Sequence, residues 1–413
     1  MMKKAATLGV LLALLGSNIR ADEGPVPKGI PHLDHVFVIM MENHAYAQIV
    51  NNPNAPFANR YAASANTGTN YFAVAHPSLT NYLEVNGGSN FGVLNDNSPD
   101  WHDATCTTNI ASGTASLDNG MFPNICPIYG TGMDAATPVI DYTNETSGPP
   151  GVIEVDGVVS YPAASTIGMT IGDQLVSAGL SWKSYQESLG PGGADGINLS
   201  DGFFNNTSDL TTALPGETTS LIGLYAVKHN PFAYFQSVQQ GNDPHNSLNN
   251  IVDFSGPNGL YADLASGRVP SYSWIVPNQC DDQHGRGNAG PECEYDPNDN
   301  GTQVGLNPGL IATGDASLET IVSAIHHSPA WYEGRAAIVV IWDENDYSIS
   351  PTTNQVLLIV DTNYSRHGVS SSKFYTHFSL LKSIEAGFRL PCLNHACDSS
   401  TAVMSDLFGR DLF

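Results

Sequence analysis

Two runs of consecutive apolar residues give the strongest secondary-structure signals in the chain. Residues 35–41 (HVFVIMM) and 336–342 (AAIVVIW) are apolar at nearly every position, which is typical of strands buried on both faces of a parallel sheet. The first run ends at Glu42-Asn43 and the second at Asp343-Glu344. Ligands of open α/β sheets bind beyond the carboxyl ends of the strands, so we predict that both polar pairs lie on one rim of a sheet.

Shorter patterns along the chain alternate between strands and helices. Strands are predicted at 70–74, 180–185, 271–276 and 354–360, and helices at 79–86, 166–179, 260–266, 318–327 and 376–388. This alternation indicates an α/β fold with a mainly parallel central sheet flanked by helices. Because no repeat or linker interrupts it, residues 22–413 are predicted to form a single domain.

Two long segments lack a periodic apolar pattern. Residues 91–160 and 188–220 are rich in small and polar side chains, and we expect both to form long loops. The first of them is expected to pass over the polar rim of the sheet.

The first residues have the layout of a secretory signal. Lys3 and Lys4 precede an apolar stretch at 8–15, and Ala21 is a suitable cleavage point. The apolar stretch is too short to span a membrane, and no later segment is long and apolar enough to do so. We therefore expect residues 1–21 to be removed, and the mature protein to be secreted or periplasmic without a stable membrane anchor.

The chain contains six cysteines. An even number of cysteines in an exported protein predicts disulfide bonds, and the spacing favours three local pairs. These pairs are Cys106–Cys126, Cys280–Cys293 and Cys392–Cys397. The sequence does not fix this connectivity, and a structural zinc site is the alternative, although no two cysteines have the CxxC spacing common in such sites.

The charge balance narrows the classes of partner. Fifteen Lys and Arg stand against 40 Asp and Glu, for a formal net charge of −25. This argues against nucleic acid and against anionic membranes, both of which attract basic surfaces. An anionic substrate would need local positive charge, which a bound divalent metal ion supplies. The oligomeric state stays open.

Ser78 is a candidate nucleophile. It follows the predicted strand at 70–74 and is expected to act as the N-cap of the next helix, where backbone N–H groups and the helix dipole favour an anion. Asn81, one turn along, is a candidate ligand for a phosphate oxygen. The alternatives are a plain N-cap serine and a surface asparagine.

Other rim residues are candidates for metal binding or proton transfer. Glu42-Asn43 and Asp343-Glu344 supply the oxygen ligands that hard cations prefer, or they are merely solvated strand ends. Asp282 and His284 follow the strand at 271–276 and suit metal binding or leaving-group protonation, unless they belong to a polar loop with no role. His76 and His229 are weaker candidates, because a single histidine is more often structural.

Taken together, these segments resemble the secreted phosphoesterase family that contains bacterial acid phosphatases and phosphatidylcholine-type phospholipases C. The likeness extends over about residues 32–390. It rests on five motifs in order: HVFVIMMENH at 35–44, AHPSLTNYL at 75–83, KHNPF at 228–232, Pro277-Asn278 with Asp282 and His284, and Trp342-Asp343-Glu344.

This resemblance implies an alkaline-phosphatase-like core and assigns roles to the rim. Glu42, Asn43, Asp343 and Glu344 correspond to ligands of a divalent metal ion whose identity the sequence does not give. Ser78 corresponds to the nucleophile, since the run 78–82 is similar to the Thr-Phe-Pro-Asn-His run of nucleotide pyrophosphatases. Asn81 then corresponds to the asparagine that binds the phosphoryl oxygen. Thr80 departs from the proline usual in relatives, which leaves the substrate preference in doubt.

The favoured hypothesis is a secreted, metal-dependent acid phosphatase that hydrolyses phosphomonoesters. Ser78 forms a phosphoseryl intermediate, and His76, His229 or His284 protonates the leaving alkoxide. One alternative is a phospholipase C that cleaves phosphodiester lipids. The other is a non-catalytic surface-binding module on the same scaffold, although every acidic position of the motifs is filled.

Overall fold

The computed structural model describes most of the chain between residues 23 and 409. The described ranges are 23–102, 106, 124–135, 152–155, 159–190, 192–196, 224–284, 308–345 and 354–409. The predicted signal segment and most of the two predicted loops lie outside them, and the single-domain boundary stays a prediction. Among the helices in these ranges, none combines the length and apolar character needed to cross a membrane.

Strands and α-helices alternate as the sequence predicts. The strands are β1 His35–Met41, β2 Asn66–Phe72, β3 Thr131–Met133, β4 Val152–Val155, β5 Val159–Pro162, β6 Ser165–Ile167, β7 Trp182–Gln186, β8 Ile251–Val252, β9 Tyr272–Val276, β10 Ala336–Trp342, β11 Gln355–Thr362, β12 Ser370–Ser371 and β13 Tyr375–Thr376. The α-helices are α1 Tyr46–Ile49, α2 Pro56–Ser64, α3 Ser78–Gly87, α4 Ile171–Ser177, α5 Gln236–Gln240, α6 Leu260–Ser266, α7 Pro308–His326, α8 Pro329–Tyr332 and α9 His377–Phe388. Short 3₁₀ helices lie at Gly193–Asp195, Val227–His229, Pro231–Tyr234, Leu248–Asn250 and Asn394–Cys397.

Nine of the described strands form one sheet in the order β12-β2-β11-β10-β1-β9-β7-β8, with β13 also paired to β2. All neighbours pair in parallel except that β11 runs antiparallel to both β10 and β2. Two small antiparallel hairpins, β3–β6 and β4–β5, lie outside this sheet. The predicted α/β fold with a mainly parallel sheet is confirmed.

Both faces of the sheet are covered at its centre. Every residue of β10 is buried, as is every residue of β1 after His35. Helix α3 packs against α4 and α9, whereas α7 packs against α2, α6 and α8. Because successive strand residues point to opposite faces, burial of consecutive residues requires cover on both sides, which explains the unbroken apolar runs of these two strands.

The main differences between prediction and structure concern four elements. Ser78 is the first residue of α3, and Pro77 is the N-cap, because the extended backbone of Pro77 directly precedes the helix. The helix predicted at 166–179 is only α4, since Thr170 and Asp173 form a capping box that starts it, and β6 occupies the preceding residues. Helix α7 begins ten residues before the prediction, and β2 begins four residues before it.

Two of the predicted disulfides are confirmed. Cys106 is bonded to Cys126, and Cys392 to Cys397. Cys280 is also disulfide-bonded. Cys293 lies outside the described residues, so its pairing with Cys280 stays a prediction.

A buried histidine connects the last 3₁₀ helix to the residue that follows β3. His395 contacts Asp134 through Nε2 at 2.9 Å and Asp398 through Nδ1 at 2.6 Å. Burial disfavours the charged ring, but the two carboxylates outweigh burial and raise the pKa of His395 to about 9. His395 is therefore a cation in the folded protein at neutral pH.

This ion pair predicts a pH-dependent contribution to stability. A histidine whose pKa is higher when folded stabilises fully below its unfolded pKa, near 6.5, and the contribution is lost as pH rises through about 9. The contribution is at most about 3 kcal/mol. His395→Gln should therefore lower the free energy of unfolding more at about pH 5.5 than at about pH 10, as urea titrations would measure. An equal loss at both pH values would contradict this, and His327→Gln on the surface is the control.

Candidate active site

Parallel pairing brings the two polar strand ends side by side. The register of β1 and β10 sets Met41 opposite Trp342, so the residues that follow leave the sheet together. The backbone N–H of Asp343 donates to Met41 O at 3.0 Å. The backbone N–H of Asn43 donates to Asp343 Oδ1 at 2.9 Å. The prediction that both pairs share one rim is confirmed.

A third strand end completes the rim. Strand β9 lies on the other side of β1, and its continuation carries Asp282 to the site. The backbone N–H of Glu42 donates to the carbonyl of Asp282 at 2.8 Å. The carboxylate of Asp282 accepts the backbone N–H of His284 at 2.7 Å. Asp282 and His284 are thus held in one turn beside Glu42.

Ser78 lies between the two acidic pairs. Its hydroxyl is 3.2 Å from Glu42 Oε2 and 3.4 Å from Glu344 Oε1. Ser78 is the first residue of α3, so it lies close to the first N–H groups of that helix, which have no partner within the helix. Ser78 is only 1% exposed, so its hydroxyl is a buried group next to buried carboxylates.

Asn81 ties α3 to the rim. Its side-chain N–H₂ donates to Glu344 Oε2 at 3.0 Å and to the carbonyl of Ala75 at 2.8 Å. Its Oδ1 accepts the backbone N–H groups of Val74 and Ala75, each at 3.2 Å. The predicted bond from Asn81 to a phosphoryl oxygen would have to replace one of these contacts.

The three candidate histidines converge on the same rim. His229 Nε2 is 3.2 Å from Glu42 Oε1, and its Nδ1 is 3.6 Å from Asp282 Oδ2. His76 Nε2 contacts Asn345 Oδ1 at 2.8 Å and lies 4.0 Å from Glu344 Oε2. The ring of His284 is 6.3 Å from that of His229. The chemical roles of these residues stay predictions.

Three further residues of the site were not predicted from the sequence. Lys228 Nζ donates to Ser78 Oγ at 3.3 Å and to Asp96 Oδ2 at 3.0 Å. Tyr82 donates its hydroxyl to Glu42 and stacks on His229, with ring centroids 5.1 Å apart. Lys228 directly precedes His229 in the motif at 228–232, and this neighbour in sequence could have indicated Lys228 as a site residue. Asp96 lies within a polar loop, and nothing in its surroundings distinguishes it.

Two buried neutral histidines fix the backbone of the rim. His377 donates through Nε2 to the carbonyl of Asp343 at 2.7 Å and accepts from the Tyr71 hydroxyl at Nδ1. His44 Nδ1 donates to the carbonyl of Glu42 at 2.9 Å. Burial lowers the pKa of both rings to about 4, so both are neutral and their tautomers follow from these contacts.

The electrostatics of the rim favour a bound cation. Burial and mutual repulsion raise the pKa values of Glu42, Asp282 and Glu344. Burial likewise raises the pKa of Asp343 to about 6. Although burial opposes its charge, the carboxylates of Asp96 and other acids raise the pKa of Lys228. A single ammonium group cannot neutralise four carboxylates, and a divalent cation would hold them in the ionised form.

The donor atoms at the rim fit a hard metal ion. Asn43 Oδ1 and Asp343 Oδ2 are buried and have no hydrogen-bond partner, which is costly unless a further group binds there. Asn43 adopts φ +46°, a conformation that asparagine tolerates better than most residues. Across the described ranges, no group of three or more His, Cys, Asp or Glu side chains is arranged to hold a metal ion as it stands. Amide, hydroxyl and carboxylate oxygens nevertheless form the donor set of divalent cations.

Comparison with known proteins identifies related chains. The family model described as the phosphoesterase family matches residues 51–295 and 307–391. A phosphatidylinositol-3-phosphatase of Mycobacterium tuberculosis is 23% identical over 409 residues, covering 98% of this chain and 93% of the relative. An acid phosphatase of Aspergillus fumigatus is 23% identical, and the alignment covers 86% of this chain. This chain spans about half (55%) of the length of that acid phosphatase. A phospholipase C A of M. tuberculosis is 25% identical over 54% of this chain and 39% of its own length.

Solved structures also show a likeness. A Vibrio parahaemolyticus protein described as a member of the alkaline phosphatase superfamily superposes with a TM-score of 0.45 and 12% identity. The superposition covers 94% of this chain and 73% of that one.

Proposed function

The chain belongs to the phosphoesterase family, and from that membership we propose that it is a metal-dependent acid phosphatase that hydrolyses phosphomonoesters. Family membership makes it a hydrolase of phosphoric esters. The finer proposal is that turnover passes through a phosphoseryl intermediate on Ser78.

One observation carries the proposal. The Ser78 hydroxyl lies within 3.4 Å of carboxylates from two strand ends and within 3.3 Å of an ammonium group, at the start of a helix. Nucleophilic serines need a group that accepts their proton and a positive environment that stabilises the resulting oxyanion. Carboxylates of Glu42 or Glu344 are the acceptors within reach, and Lys228 provides positive charge.

The metal has a defined place in this proposal. Glu42, Asn43, Asp343 and Glu344 would hold it. When bound, a divalent cation supplies Lewis acidity that favours the serine alkoxide and offsets phosphoryl charge.

The residues of the chain account for the rest of the reaction. Ser78 Oγ forms a bond to phosphorus as the bond to the ester oxygen breaks, and the leaving alkoxide takes a proton from a histidine. His76 is 5% exposed and His229 is 1% exposed, whereas His284 is partly exposed, which favours His284 as the proton donor on the solvent side. Water then attacks phosphorus and gives a proton to the histidine that lost one, while the bond to Ser78 breaks. Ser78 regains its proton from the carboxyl group that accepted it as phosphate leaves.

Phosphomonoesters are favoured over the alternatives. The relative that shares nearly its full length with this chain is named a phosphatidylinositol-3-phosphatase, an enzyme that acts on a monoester. The alignment with the phospholipase C relative covers only 39% of the length of that relative. A non-catalytic surface-binding module is disfavoured because the proposed nucleophile and all four proposed ligands are present and close together.

The location follows the same proposal. Cys106–Cys126 and Cys392–Cys397 are disulfide bonds, and Cys280 is also disulfide-bonded. Disulfide bonds are typical of oxidising compartments, and we propose a secreted or periplasmic enzyme.

The test compares two chromogenic esters with the same leaving group. We expect kcat/KM to be about 10²-fold higher for p-nitrophenyl phosphate than for p-nitrophenyl phosphorylcholine, because a site built for a terminal phosphoryl group rejects a blocked one. Acid quenching with a ³²P-labelled monoester should trap label on Ser78. Preference for the diester would instead support the phospholipase C, and turnover of neither ester would support the binding module.

A further inference from the structure

The carboxylate of Asp96 bridges two hydrogen-bond donors beside the proposed nucleophile. Asp96 Oδ1 accepts the backbone N–H of Leu79 at 3.1 Å, and Asp96 Oδ2 accepts from Lys228 Nζ at 3.0 Å. Leu79 is the second residue of α3, so its N–H has no partner within the helix.

These two donors are of the kind that bind phosphate. Backbone N–H groups at a helix N-terminus and lysine ammonium groups are both common ligands of phosphoryl oxygens. Their position also favours phosphate binding, because Lys228 Nζ lies 3.3 Å from Ser78 Oγ. A phosphoryl group bonded to Ser78 would have its oxygens within reach of the donors that Asp96 now occupies.

The exposure of the side chains indicates the side from which a substrate would approach Ser78. Ser78 is 1% exposed, whereas the side chain of Asp96 is 34% exposed and that of Lys228 is 19% exposed. Among the described residues that contact Ser78 Oγ, Glu42 and Glu344 are buried, so the Asp96–Lys228 pair forms the solvent side of the site. Ion pairs that are partly exposed contribute little stability, so this one is easily exchanged for another anion.

We propose that Lys228 and the Leu79 N–H form the phosphoryl subsite, and that Asp96 is a built-in occupant which the phosphoryl group of the substrate displaces. Lys228 is then a catalytic residue that contacts both the nucleophile and the substrate. Asp96 keeps the two donors in place when no phosphate is bound, and it competes with phosphate for them. The proposal rests on the proposed function, since it concerns the same site.

The test measures equilibrium binding of inorganic phosphate to the full chain with its metal content as purified. Lys228→Met should weaken phosphate binding about 10- to 100-fold, because a charge-assisted contact is lost. Asp96→Asn should tighten it, by about tenfold if the carboxylate occupies the donors nine-tenths of the time. Asp96→Ala should change binding in the same direction as Asp96→Asn. The opposite signs matter, because general damage to the site would weaken binding in every variant.

The control is Lys373→Met. Lys373 is also paired with an aspartate, Asp406, at 3.1 Å, but it is 58% exposed and lies between β12 and β13. Phosphate binding should be unchanged in this variant.

Two outcomes would overturn the inference. Weaker phosphate binding in both Asp96 variants would make Asp96 a simple positioning residue, and unchanged binding in Lys228→Met would remove Lys228 from the subsite. Calorimetric binding requires no turnover, so a failure here is distinct from failure of the phosphoseryl mechanism, which a Ser78 variant reports. The monoester KM should follow phosphate affinity, falling in Asp96→Asn and rising in Lys228→Met.

Discussion

Ser78→Ala is expected to reduce hydrolysis of p-nitrophenyl phosphate by at least about 10³-fold, since nucleophilic catalysis is lost and only binding and electrostatic effects remain. The fold should be retained. Helix α3 is capped by Pro77 and receives no capping hydrogen bond from the Ser78 side chain, so removal of the hydroxyl leaves the helix start unchanged. The measurement is kcat under saturating substrate, together with a thermal melt.

Ser266→Ala is the matched control. Ser266 is exposed at the end of α6, and its hydroxyl bonds to the carbonyls of Ala262 and Asp263 and accepts from Arg268 Nε, so its loss should leave turnover unaltered. Turnover of the Ser78 variant within about tenfold of the parent would exclude a covalent role for this residue. In that case an activated water would have to replace the serine in the mechanism.

Removal of divalent metal is expected to lower activity below about 1% of the starting value, because the positive charge that stabilises the phosphoryl transition state is lost. Four buried carboxylates of raised pKa would then face one another, with Lys228 as the counter-charge among the described residues. We therefore also expect the chelated protein to melt at a lower temperature near neutral pH. Activity after dialysis against EDTA, and its return on addition of single divalent ions, would measure this.

Ligand variants connect the metal to named residues. Glu344→Gln should lose metal, measured by elemental analysis, whereas Glu319→Gln on the exposed face of α7 should retain it. Full activity after exhaustive chelation, with no metal in the parent protein, would contradict the proposed metal centre.

The central strands and the rim were predictable from sequence for a clear reason. Residues 35–41 and 336–342 are buried on both faces, so an apolar residue is favoured at every position. The observed bounds of β1 and β10 match the predicted ones. Polar residues directly after such strands are constrained to one edge, which is why Glu42 and Asp343 were found without knowledge of the fold.

The parts that were missed depend on contacts that a local pattern does not contain. The apolar run of β11 fits either direction, and its antiparallel orientation follows only from the path of the chain. The Asp96–Lys228 pair joins residues 132 positions apart, and neither lies in a periodic segment. The start of α4 was obscured because Ile167 continues the helical spacing of Ile171 and Leu175, although β6 forms there.

The register between β1 and β10 has a consequence for how this enzyme can change. Hydrogen bonding between strands advances in whole residues, about 3.3 Å at a time, and one step also turns each side chain to the opposite face. The relative position of Glu42 and Asp343 can therefore change only by whole-residue shifts of the strand register. Small, gradual shifts between two functional arrangements are not possible. Insertions or deletions in these two strands should be purged by selection, and new substrate preferences should arise in the loops instead.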